Sequence, residues 1–336
     1  MNDPMPRPPW PGPAILFVPA SNPRAMEKAK RLAASHDGPS AIILDLEDAV
    51  APAAKDGARE AMRQAFGRHD GAPPLAVRVN APDTPWFAED LLAARALRPR
   101  AVVLPKVEGP DDLALVETAL AESDAPPGLA IWAMIETPRG VSRVDAIAAC
   151  GGRLEALIVG TNDLVAATGV SIAQGRAHLH PWLMAVVLAA RAEGISVLDG
   201  VRNDWRDGAA FEAEAREGAA MGFDGKTLIH PDQIVPTLAA HAPGSGDIER
   251  ARRIAHAFAA VGEDVGVVTL DGAMVERLHL DAARRLLARV ERPGADGARS
   301  RDVPADGAGH DDAQAYDNAD APRNPQALQE QEEPDR

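Results

Sequence analysis

Short apolar runs alternate with stretches of helical periodicity along most of this chain. The runs are Ala14–Pro19, Ala41–Leu46, Leu75–Val79, Ala101–Leu104, Ala130–Ile135, Ala156–Gly160, Ile195–Leu198 and Lys226–Ile229. They are too short for helices and nearly continuous in apolar side chains, as strands buried on both faces of a parallel sheet must be. Helical patterns fill the gaps. One opens after Ser21 or Asn22 as cap with Pro23 in its first turn, and others cover Ala53–Phe66, Phe87–Leu97, Pro110–Ala121, Pro181–Glu193, Gly208–Met221 and Asp247–Val261. The connection between Ile135 and Ala156 has room for one helix, so those two strands form a β-α-β unit. Eight such units predict an α/β fold, a (β/α)8 TIM barrel. A doubly wound sheet alternates in the same way, so the count of eight decides between them.

Polar residues fall just past the strand ends: Asp45 and Glu47, Arg78 and Asn80, Lys106, Glu136, Asp163, Asp199 and His230. In a barrel those ends share one mouth, where barrel enzymes keep their chemistry. The opposite ends are mostly Ala, Gly and Pro. Past the barrel, a hairpin around Asp271–Gly272 leads into an amphipathic helix ending near Val290, an appended C-terminal segment. The expected organisation is a Pro-rich lead-in over 1–13, the barrel over 14–262, a C-terminal arm over 263–291 placed over the mouth or onto a neighbouring subunit, and a disordered acidic tail over 292–336.

Composition narrows the partners. Of 336 residues, 46% are hydrophobic and 25% charged, which suits a globular protein with a full core. The formal charge is -15; from Pro293 onward eleven Asp and Glu face four Arg, so -7 belongs to the tail and -8 to the rest. An acidic body argues against nucleic acid as a partner while leaving room for a small anion held by local Arg and Lys. No run is long enough to span a membrane, and the lead-in lacks the apolar core of a signal peptide, so a cytoplasmic protein is expected. The single cysteine, Cys150, excludes an intrachain disulfide and is expected to be packed and inert.

The chemistry centres on Glu136 and Asp163, carboxylates at equivalent places after successive strands. Two such oxygen ligands suit Mg2+, which fills its octahedron with water and substrate oxygens. Singly, each reads more plainly as a helix cap. Arg78 must meet an anion if buried; it either pairs with Glu47 or Asp48 or clamps a substrate carboxylate. Lys106 and Lys226 are expected as charged, paired lysines rather than Schiff-base nucleophiles, because carboxylates crowd them. His230, before a proline, reads as a turn-positioning residue, with general base the sharper option. Arg24, Lys28 and Lys30 form a solvated face or a phosphate site. Dinucleotide, P-loop, zinc-protease and serine-hydrolase motifs are missing.

Taken in order, L-F-V-P-A-S-N-P-R, I-L-D-L-E-D-A-V, V-R-V-N, V-L-P-K-V-E, M-I-E-T-P-R-G-V, V-G-T-N-D-L, G-F-D-G-K-T-L-I-H-P-D-Q-I and L-D-G-A-M-V-E resemble the citrate lyase β-subunit-like branch of the HpcH/HpaI aldolase family, from Ile15 to Leu287. The resemblance implies a homotrimer or a multiple of three, Mg2+ (or Mn2+), an acyl-CoA thioester and a small α-keto acid. By position it implies Glu136 and Asp163 as metal ligands, Arg78 on the keto acid carboxylate, and Asp45 and Glu47 supporting the metal's water. Pro19, Asn22, Arg24 and His230 would line the CoA passage. The implied reaction is Mg2+-dependent cleavage of a malyl-CoA or citramalyl-CoA type ester into acetyl-CoA and an α-keto acid. A thioesterase, an aldolase on free hydroxy-keto acids and a weakly active CoA-ester-binding subunit are the alternatives. Two departures matter. The family's acid is the aspartate of G-x-M-[IV]-D, and here that place holds Glu276, one methylene longer. G-P-A-I-L also stands where relatives begin R-S-x-L.

Overall fold

The computed structural model describes residues 9–67, 74–173, 175–262 and 265–290; positions 1–8 of the lead-in and the tail over 292–336 lie outside the described residues. Eight strands form the centre: β1 (Ala14–Pro19), β2 (Ala41–Asp45), β3 (Leu75–Arg78), β4 (Ala101–Leu104), β5 (Ala130–Ile135), β6 (Leu154–Val159), β7 (Ser196–Asp199) and β8 (Gly225–Leu228). Each pairs in parallel with the next, and β8 pairs with β1 to close the barrel. The helices are α1 (Pro23–Ala33), α2 (Lys55–Phe66), α3 (Phe87–Leu97), α4 (Pro110–Glu122), α5 (Pro138–Ser142), α6 (Val144–Ala148), α7 (Thr161–Thr168), α8 (His180–Glu193), α9 (Gly208–Met221), α10 (Ile234–His241), α11 (Ser245–Val261) and α12 (Arg277–Val290). The single helix expected between β5 and β6 is two short ones, and α10, which sequence periodicity did not pick out, packs on β8 and β1.

Period-two alternation splits each strand between two cores. Ile15, Ile43, Val103, Trp132, Ile158 and Leu198 fill the barrel interior. Leu16, Val18, Ile42, Leu44, Val77 and Leu104 face the helices, together with Met26, Leu183 and Phe211. Both layers are apolar, which is why the strands read as unbroken hydrophobic runs. The floor of the barrel is not the plain Ala-Gly-Pro end expected. Glu155, 6% exposed, accepts from Arg100 Nη2 at 2.6 Å and from Trp132 Nε1 at 2.8 Å, and Trp10 of the lead-in packs on Trp132 with ring centroids 5.2 Å apart. Sequence reading missed this plug because Arg100 and Glu155 are far apart in the chain and meet only when the barrel closes.

Past the barrel, β9 (Val267–Leu270) and β10 (Ala273–Glu276) pair antiparallel across Asp271 and Gly272, both at positive φ, as a two-residue hairpin requires. This hairpin, α11 and α12 share a cluster of their own built on Ile254, Phe258, Val275 and Leu280. Among the described residues no helix is long and apolar enough to cross a membrane.

Candidate active site

Strand register builds the site. Asp45 is the cross-strand neighbour of Arg78, so the carboxylate at the end of β2 meets the guanidinium at the end of β3. Arg78 Nε and Nη2 donate to the two Asp45 oxygens at 2.7 and 2.6 Å, and Nη1 pairs with Glu47 Oε2 at 2.9 Å. The guanidinium also lies over the Phe17 ring, 4.9 Å from its centroid. Asp48, 4.0 Å away, is a distant partner, so the structural pairing weighed for Arg78 is with Asp45 and Glu47. Burial works against the Asp45 charge, but Arg78 and the backbone N–H groups of Glu47 and Ala49 hold its carboxyl below the usual range. Glu47 goes the other way: burial pushes its carboxyl up, and Arg78 and Lys106 offset only part of that.

Behind this turn lies a residue that no sequence motif marks. Lys55, 4% exposed, donates all three ammonium hydrogens: to the carbonyls of Leu46 and Glu47 at 2.8 and 2.7 Å and to Asn80 Oδ1 at 2.8 Å. It fixes the backbone that carries Glu47. Asn80 in turn donates to Asp90 and to the Leu46 carbonyl.

Across the mouth, Glu136 follows β5 and Asp163 sits in the first turn of α7, which follows β6; Ile135 and Val159 are register partners. Neither caps a helix with its side chain. Thr137 Oγ1 caps α5, and Glu136 Oε1 instead accepts the Lys106 backbone N–H at 2.8 Å. Glu136 is 1% exposed, and burial followed by the charges of Asp163 and Glu47 pushes its carboxyl up to about 8. Burial and then Asp48 raise Asp163 as well. A Cβ on Gly160 would overlap Glu136 Cβ and Oε2, so glycine is what lets the β5 and β6 ends close on each other.

Lys106 completes the ring of charge. Its φ of 54° is left-handed, a conformation that costs a non-glycine residue roughly 1–2 kcal/mol and is found where surrounding contacts enforce it. Its ammonium reaches Glu47 Oε1 at 3.1 Å. Asp45, Glu47, Arg78, Lys106, Glu136 and Asp163 therefore form one constellation.

Two expected mouth residues lie elsewhere. Asp199 and Asn80 turn outward, into the layer between strands and helices. Asp199, 1% exposed, accepts from Arg176 Nη1 at 2.7 Å and from Lys226 Nζ at 3.0 Å, and a Cβ on Gly218 of α9 would stand 2.7 Å from it. Lys226 is fully buried among Asp199, Glu214 and the Gly200 carbonyl, a charged structural lysine. Cys150 is exposed rather than packed: it follows α6 at a Gly–Gly turn, outside both cores.

The segments assigned to a CoA passage meet at the seam between β8 and β1. Asn22 Oδ1 caps α1 through the Ala25 N–H at 3.0 Å, Pro19 ends β1, and Arg24 is exposed on α1. His230, 3% exposed, follows β8; its Nδ1 accepts from the Asp232 N–H at 3.3 Å and its ring stacks on Trp205 at 3.7 Å. Glu276 is in the arm, paired with Val267 in the hairpin. Among the described residues it makes no hydrogen bond or ion pair with the mouth.

The donor set fits a hard divalent ion. Among the described residues no group of three or more His, Cys, Asp or Glu side chains forms a closed cage, so two carboxylates would leave coordination positions for water and substrate. That suits Mg2+ and not a structural zinc site. The raised Glu136 and Asp163 carboxyls are what a cation beside them would relieve.

Comparison with known proteins agrees with this arrangement. Residues 14–231 match the HpcH/HpaI aldolase/citrate lyase family. A (3S)-malyl-CoA thioesterase of Cereibacter sphaeroides (strain KD131) is 40% identical over 280 residues, 83% of this chain and 94% of that protein. The citrate lyase subunit beta of Escherichia coli (strain K12) is 33% identical over 293 residues, 84% and 94% of the two chains. The crystal structure of CitE from Mycobacterium tuberculosis in complex with magnesium, acetoacetate and coenzyme A matches with a TM-score of 0.69 at 33% identity, over 84% of this chain and 98% of that one. With a closed eight-stranded barrel and a family match that spans all eight of its strands, this chain belongs to the HpcH/HpaI aldolase/citrate lyase family.

Proposed function

We propose that this protein is an Mg2+-dependent carbon–carbon lyase acting on a β-hydroxyacyl-CoA of the malyl-CoA or citramalyl-CoA type. The observation that carries the reading is the Glu136–Asp163 pair at adjoining strand ends, carboxyls raised by burial and by mutual or neighbouring charge, facing Arg78 and Lys106. Glu136 and Asp163 would hold Mg2+, with Mn2+ a substitute, and the bound ion would supply Lewis-acid polarisation of the substrate's hydroxyl and carboxylate oxygens. Asp45 and Glu47 would support its water shell. Arg78 holds the Asp45 carboxyl below its usual range, pairs with Glu47, and lends a remaining N–H to the keto acid carboxylate.

With the hydroxyl proton passed to water, the C–C bond breaks and its electron pair leaves with the acyl carbon, releasing an α-keto acid and the enolate of acetyl-CoA. A carboxylic acid then protonates the enolate carbon. Glu276 takes that part, supplied by a neighbouring subunit of a homotrimer; that it makes no hydrogen bond or ion pair with the mouth among the described residues favours donation from a neighbour. The seam formed by Pro19, Asn22, Arg24 and His230 would carry the CoA, and the enzyme would work in the cytoplasm.

A thioesterase is the second reading, favoured by the 40% identity to a (3S)-malyl-CoA thioesterase and by Glu276 in place of aspartate. One assay separates them: malyl-CoA with and without Mg2+, products resolved by chromatography. Acetyl-CoA with glyoxylate supports the lyase, and free CoA with intact malate supports the thioesterase. Turnover that is unchanged after metal removal would overturn both.

A further inference from the structure

The mouth holds two cations, and they are committed to different degrees. Arg78 is 8% exposed and committed to standing partners: two of its N–H groups donate to Asp45, and its Nη1 stands in an ion pair with Glu47. Lys106 has a side chain 45% exposed and a single ion pair, Nζ to Glu47 Oε1 at 3.1 Å. An ammonium carries three donors, so two remain to it. Glu47 is also paired through its other oxygen with Arg78, and it keeps that partner if Lys106 moves. Releasing Lys106 therefore strands no buried charge, whereas releasing Arg78 would.

The surroundings make a free cation necessary. Lys106 is set among Glu47, Asp48, Glu136 and Asp163. A substrate carboxylate entering there meets several negative groups, and like charges in a partly buried site repel strongly. The left-handed turn that aims the Lys106 N–H at Glu136 also leaves its side chain half-exposed, so one residue joins the ligand carboxylate to an accessible positive charge.

We propose that Lys106 is a specificity-determining residue whose ammonium leaves Glu47 to take the carboxylate of the α-keto acid portion of the substrate, sharing it with Arg78. This rests on the reading of the site as a lyase or thioesterase for a hydroxydiacid thioester.

The test is calorimetric binding of Mg2+ alone, and then of pyruvate and of uncharged pyruvamide in saturating Mg2+, to the full chain. Lys106→Gly keeps the backbone N–H and suits positive φ, so the fold and the Glu136 contact are retained. We expect it to bind Mg2+ within about twofold of the unaltered protein and to lose roughly 10- to 100-fold in pyruvate affinity, the usual cost of a charge-assisted hydrogen bond. Pyruvamide binding should be unaffected, and Lys106→Arg should recover most of the pyruvate affinity. Equal pyruvate binding by Lys106→Gly and the unaltered protein, or equal loss of pyruvate and pyruvamide, overturns the inference alone. If the unaltered protein with Mg2+ binds neither pyruvate nor glyoxylate, the functional reading falls first.

Discussion

Replacing Glu136 by glutamine tests the charge logic of the site without a substrate. The carboxyl is 1% exposed and pushed from an ordinary 4.5 up to about 8, by burial and then by the charges of Asp163 and Glu47. The folded protein thus holds a proton that the unfolded chain has released across that window. Stability is fully present below 4.5 and is lost as pH rises towards 8. At ~1.4 kcal/mol per pH unit, the penalty is about 3 kcal/mol at pH 7 and about 5 kcal/mol once the group is fully ionised. Glutamine has nearly the same shape, still accepts the Lys106 N–H and never ionises. In metal-free buffer with chelator, urea denaturation should show Glu136→Gln gaining on the unaltered protein by about 3 kcal/mol between pH 5 and 8. Saturating Mg2+ should close that gap by stabilising only the unaltered protein, as a ligand of the folded state does. Parallel stability profiles without metal, or equal stabilisation of both proteins by Mg2+, would refute the claim that Glu136 is a strained, metal-ready carboxylate.

Further outcomes follow from the same geometry. Arg78→Met leaves Asp45 and Glu47 buried without their main cation and should cost about 3–5 kcal/mol in chemical denaturation. Gly160→Ala forces a methyl into Glu136 and should cost about 1–3 kcal/mol while weakening Mg2+ binding measured by calorimetry. Glu276→Asp, which restores the shorter acid, should raise acetyl-CoA formation from malyl-CoA by roughly 10- to 100-fold if the lyase reading holds, and an unchanged or lower rate counts against that part for Glu276. Mg2+ affinity should rise with pH up to about 8, because binding must displace the Glu136 proton, and a flat profile in calorimetry would exclude that coupling.

The sequence by itself determined the barrel and the roster of its mouth. Apolar runs such as Ala41–Leu46 and Ala130–Ile135, each followed by a helical stretch, admit few architectures, because a strand buried on both faces needs helices over it. The ordered motifs placed Asp45, Arg78, Glu136 and Asp163 at strand ends before any contact was known. What only tertiary structure decided is where each side chain points and what it meets. Alternation within a strand points Arg78 into the mouth and Asp199, next to the inward Leu198, into the helix layer, while Asn80 lies past the end of β3 and turns outward to Asp90 and the Leu46 carbonyl. Lys55 and the Arg100–Glu155 pair left no trace in local pattern, since their partners lie in other strands and loops. Cys150 is exposed where a packed thiol is expected, because small neighbours in sequence say nothing about exposure at a turn. Local physics fixes the elements, whereas the pairing of charges depends on barrel closure, a property of the whole chain.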